Sequence, residues 1–180
     1  MMPWNTFARS AVYAAVAAAA WLPWAILAGP LLGWWPTRAI YLIAVTAVYA
    51  GGLARRRARA LPLVVIVAAA GSLAALLAAS TAELAIALAV LLALARSGFL
   101  YRASPARALV TEAILISAGL LFARYLGGFT LLSTALALWG FLLVQSVFFL
   151  IGGVRPRPLV EAVADPFEEA HRRALALLDQ

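Results

Sequence analysis

Three ionisable side chains, Glu83, Glu112 and Arg124, fall inside the long apolar runs of this 180-residue chain. A charge in hydrocarbon is costly, so such residues either pair with one another or serve an ion, proton or substrate pathway. Glu112 is the deepest acid, in the run that follows Arg107, and is the first choice for a proton- or cation-linked position. Its structural alternative is a pair with Arg96, Arg102 or Arg107 at the inner rim. Glu83 opens the fourth run and Arg124 nearly closes the fifth. Neighbouring antiparallel helices would bring these two to one level, as an ion pair near the outer surface or as two snorkelling side chains. Gln145 precedes Arg155 by roughly 15 Å of helical rise. That puts it near mid-membrane, where its amide is expected to hydrogen-bond across helices. Ser133, Thr134 and Ser146 are weaker candidates, because hydroxyls in helices bond back to their own backbone.

Most site chemistries are excluded at this level. The chain has no cysteine, and its one histidine, His171, lies beyond the last apolar run. Bis-histidine haem ligation, thiolate metal sites and a Ser–His hydrolase within the spans are therefore ruled out. No aspartate falls in any run, and no glycine-rich phosphate loop is present. Catalytic, cofactor-binding and metal-binding residues are accordingly assigned to none, and the reading leans away from an enzyme.

The elements that carry these residues are apolar runs. They extend over Ala11–Trp35, Ala39–Leu53, Leu61–Ala79, Ala82–Ala95, Ala108–Leu126 and Phe129–Gly152. A spanning helix needs about 20 residues, so the fold class is an all-α polytopic transmembrane bundle of about six spans. The third and fourth runs share one continuous stretch, with Ser80 and Thr81 near its middle, and form either two spans or a re-entrant hairpin. The first run is too long for a signal-peptide core of about 7–15 residues and is read as a retained span. Pro23 and Pro30 within it are expected to bend the helix. Close-approach faces are expected at Ala11, Ala15 and Ala19, at Gly71, Ala75 and Ala79, and at Ala85, Ala89 and Ala93. Composition agrees, with 66% hydrophobic and only 12% charged residues.

The net charge of +7 comes from arginines that flank the runs, so no nucleic-acid partner is read from it. With the N-terminus inside, 12 of the 14 arginines fall on inner segments, and only Arg38 and Arg124 fall outside. The positive-inside rule then places both termini in the cytoplasm, with the chain in the plasma (inner) membrane.

Residues 1–153 form the membrane domain, and 154–180 form a proline spacer and a cytosolic amphipathic helix. Asp165 followed by Pro166 reads as a helix start, with Glu168 completing a capping-box-like pattern. Phe167, Ala170, Ala174, Leu177 and Leu178 make an apolar stripe, a candidate docking face for a partner, for lipid or for the protein's own loops. The functional expectation is a non-enzymatic subunit or accessory factor of a larger membrane assembly. The alternative is a small transporter, a channel or the substrate-binding membrane component of a multi-component importer. The bilayer and a protein partner are the expected contacts; a small-molecule ligand is left open.

Overall fold

The computed structural model describes residues 7–54, 57–100, 105–128 and 130–151. All regular structure among them is helical. The order is α1 (Phe7–Leu32), α2 (Trp34–Leu53), α3 (Arg57–Leu77), α4 (Thr81–Leu100), α5 (Pro105–Leu126), α6 (Leu131–Ser146) and a short α7 (Phe148–Ile151). Among the described residues, four segments are long and apolar enough to cross a membrane: Phe7–Leu32, Ala60–Leu77, Leu109–Leu126 and Leu131–Leu150.

Helix boundaries depart from the apolar runs where local chemistry overrides hydropathy. Gly33 adopts φ of 83°, a left-handed conformation that ends α1 and costs a glycine nothing. Trp34 and Trp35 therefore begin α2, not the end of the first span. Pro36 sits in the first turn of α2, where its missing N–H has no helical partner to lose. The helix of α1 runs through both Pro23 and Pro30. The fourth run, which hydropathy ends at Ala95, continues as helix to Leu100. The sixth run is interrupted: α6 ends at Ser146, and a turn at Val147 separates it from α7.

Consecutive helices pack as neighbours from α1 to α6, and α1 against α6 closes the ring. The second helix also touches α4, so α3 packs outside a ring of α1, α2, α4, α5 and α6. Polar groups fasten α1 to α2 in antiparallel register. Ser10 Oγ and Tyr49 Oη lie 2.7 Å apart, and Tyr13 Oη donates to the Val45 carbonyl at 2.6 Å. Further along, Tyr41 Oη donates to the Ala17 carbonyl and Trp24 Nε1 to the Thr37 carbonyl. Each step forward on α1 is a step back on α2. A carbonyl has a second lone pair beyond its helical bond, which is what these side chains use.

Small residues set the closest approaches. A Cβ on Gly51 would meet Val64 at 2.4 Å, and one on Gly140 would meet the Phe122 ring at 2.6 Å. Of the two expected faces beyond α1, Gly71, Ala89 and Ala93 are buried, Ala75 and Ala85 are half-buried, and Ala79 is exposed. The face read on α1 is corrected. Ala15 and Ala19 are exposed, while Ala14, Ala17 and Ala18 face the core with Trp21 and Ala25. In a helix this rich in alanine, several stripes are equally small, so spacing alone does not choose among them.

Candidate functional site

The centre of the bundle holds a closed polar cluster built by α4, α5 and α6. On α4, Leu84, Leu88 and Leu92 form a buried row at four-residue spacing. The next member of that row is Arg96, whose side chain is fully buried. A buried cation without a partner is costly, so the fold must supply a counter-charge there. Glu112 on α5 does so: Arg96 Nε donates to Oε1 at 2.7 Å and Nη2 to Oε2 at 2.5 Å. This is the forked geometry in which a guanidinium matches a carboxylate best.

The remaining donors go to Gln145 on α6. Arg96 Nη2 donates to its side-chain oxygen at 2.6 Å, and Nη1 to its backbone carbonyl at 3.0 Å. An uninterrupted helix would give that carbonyl to the Phe149 N–H. At the break after Ser146 that carbonyl accepts the Val147 N–H instead, and its second lone pair takes the guanidinium. Gln145 Nε2 in turn donates to the Leu115 carbonyl at 3.0 Å. Gly119 makes the room, since a Cβ there would stand 3.0 Å from that nitrogen. The Phe148 ring closes the far side, with its centroid 4.4 Å from Arg96 Cζ, at cation–π distance.

The sequence reading thus anticipated part of this cluster. Gln145 does bond across helices, and of the three arginines named for Glu112 the partner is Arg96. Its setting is corrected. Arg96 is a residue of the buried α4 row, not of an inner loop. The signal was present as the Leu84–Leu88–Leu92–Arg96 spacing, which hydropathy alone discards at the charge.

Glu83 and Arg124 are not brought together. Glu83 is exposed at the start of α4, where its Oε2 accepts the Ala79 N–H at 2.9 Å. Ser80 Oγ accepts the Glu83 N–H at 3.3 Å, so the two residues cap the helix much as a capping box does. A carboxylate at a helix start also suits the helix dipole. Arg124 is exposed in the last turn of α5, the favourable end for a cation. Thr134 and Ser146 bond back to the Thr130 and Leu143 carbonyls of their own segment. Ser133 completes a capping box with Thr130 at the start of α6. The tail positions Phe167, Ala170, Ala174, Leu177 and Leu178 lie outside the described residues.

A second feature had no counterpart in the sequence reading. A cavity of about 310 Å³ opens among α1, α2, α4, α5 and α6. It begins at the bundle end that carries Thr81, Gly127 and Gly128, and reaches inward to Val45, Leu88 and Leu142. Its lining is overwhelmingly apolar, and Arg38 is the one charged residue in it. The sequence reading had placed Arg38 in an outer connection; it is instead in the second turn of α2. Comparison with protein-family models, with curated protein sequences and with solved structures finds no match for this chain.

Proposed function

We propose that the chain is a non-enzymatic, multi-pass membrane component that holds a small, mainly apolar molecule within its helical bundle. The observation that carries this reading is the 310 Å³ cavity, which is in the size range of ligand pockets, about 300–1,000 Å³. Protein interiors are otherwise packed at crystal-like density, so a void this large between helices suits an occupant. The Arg96–Glu112–Gln145 cluster supports a non-enzymatic role, because its members spend their hydrogen bonds on one another. On this reading the chain spans the inner membrane six times with both termini cytoplasmic, as its arginine distribution favours. It works as the ligand-binding subunit of a larger assembly, and the apolar stripe from Phe167 to Leu178 is the proposed docking face for the partner.

The experiment is purification of the full chain from native membranes in mild detergent. Intact-complex mass spectrometry then reads bound small molecules, and proteomics reads co-purifying proteins. The reading expects a bound molecule that is lost when the cavity is filled by Ala85→Trp, together with a stoichiometric protein partner. A chain carrying the same bound molecules with and without Ala85→Trp would overturn the ligand-holding reading. A chain purified without any stoichiometric protein would overturn the subunit reading.

A further inference from the structure

We propose that the cavity is a binding site for a singly charged anionic amphiphile, whose head group is held by Arg38 and whose apolar body extends inward between α2, α4 and α6. The assignment rests on the ligand-holding reading above and names the class of ligand.

Tyr41 Oη already donates to the Ala17 carbonyl, and Trp21 Nε1 to the Leu131 carbonyl. Thr46 Oγ1 donates to the Leu42 carbonyl and Thr134 Oγ1 to the Thr130 carbonyl. These polar groups are spent on the protein. Arg38 is different: its Nε is buried, and among the described residues it is the one buried side-chain nitrogen or oxygen without a hydrogen-bond partner. No aspartate or glutamate lines the cavity. The contrast with Arg96 is informative, because that guanidinium is supplied with a carboxylate and two amide oxygens from the fold itself.

A guanidinium stays charged at any physiological pH, and an orphaned buried donor is costly. What the site lacks is therefore an anion with acceptor oxygens. Thr81 stands at the same mouth and offers a hydroxyl to the same head group. Behind Arg38 the wall turns apolar at Leu42, Val45, Leu88, Phe141 and Leu142. From Arg38 to Thr46 the cavity follows α2 for about 12 Å, room for an apolar body and not for a second charged group. Carboxylate and phosphate heads both satisfy a guanidinium. The two sources are thus a free medium-chain acid and an anionic phospholipid.

The test uses the full chain in detergent with a bromine-labelled medium-chain fatty acid, which quenches the tryptophan fluorescence of Trp21 in the cavity wall. The matching brominated alcohol is the neutral control. Phospholipid retention is read by intact-complex mass spectrometry after incubation with mixed phosphatidylglycerol and phosphatidylcholine. Arg38→Gln and Arg38→Lys are compared with wild type.

Saturable quenching by the acid, about tenfold or more weaker in Arg38→Gln and largely restored in Arg38→Lys, is the result expected for a free acid; a charged hydrogen bond contributes about 1.5–3 kcal/mol. Selective retention of phosphatidylglycerol, lost in Arg38→Gln, supports the same site with a lipid as its source. Equal binding of acid and alcohol, or binding indifferent to Arg38→Gln, overturns the anionic assignment and leaves the cavity reading standing. No saturable quenching by either probe and no retained lipid would overturn both.

Discussion

Removing one member of the Arg96–Glu112 pair should destabilise the bundle far more than removing both. In Arg96→Met the Glu112 carboxyl group, 4% exposed in the native protein, is left buried without its counter-ion and loses both of its guanidinium bonds. In Glu112→Gln the guanidinium keeps its two Gln145 contacts but loses its counter-ion. Breaking a buried pair on one side typically costs about 3–5 kcal/mol, whereas an apolar replacement of both partners is often neutral. Both single variants should therefore fall in that range. Those costs are roughly two to three and a half decades in the unfolding equilibrium at about 1.4 kcal/mol per decade. The double variant Arg96→Met/Glu112→Leu should recover most of the loss, leaving Gln145 with its Leu115 bond and with its Oε1 and backbone carbonyl both deprived of the guanidinium. Reversible unfolding in mixed micelles measures all four proteins, using intrinsic tryptophan fluorescence in a chain where Trp21 is buried. Single variants that each cost under about 1 kcal/mol, or a double variant that loses the sum of the two, would refute the reasoning.

Gly119→Ala should cost about 1–3 kcal/mol by overpacking. Its new Cβ would press on both Gln145 and Phe141 at 3.0 Å, and Gln145→Leu should relieve part of the loss in the same unfolding assay. Tyr13→Phe and Tyr41→Phe should each destabilise by about 0.6 kcal/mol, up to about 1.7, the scale of polar contacts between membrane helices. No effect in the pair would remove the α1–α2 hydrogen bonds from the account. The absence of native cysteine makes the proposed topology directly measurable. Gly128→Cys should react with a membrane-impermeant maleimide from outside intact cells, and Ala103→Cys only after lysis. The opposite pattern would invert the orientation.

The apolar runs on their own predict an all-helical membrane bundle, because hydropathy and length are local properties; they point to about six spans, and among the described residues four segments are long and apolar enough to cross a membrane. They also mark Gln145 as a residue that must bond across helices, and Glu112 as either a proton- or cation-linked position or the partner of Arg96, Arg102 or Arg107, since an unpaired polar group in hydrocarbon is costly wherever the chain leads it. Tertiary structure decided which arginine. Arg96 and Glu112 are 16 residues apart and Gln145 is 49 from Arg96. Only the rotation of three packed helices turns all three inward at one level. A charge that ends an apolar run reads as a loop residue, yet packing carried α4 past it to Leu100. The tyrosine contacts of α1 and α2, and the choice of Ala14 and Ala17 over Ala15 and Ala19, were hidden for a related reason. A helix made mostly of alanine presents similar stripes all round, so the buried one is set by its neighbours. The cavity beside Arg38 has no local signature at all, because an unfilled space and an unpaired nitrogen exist only once five helices have been placed around them.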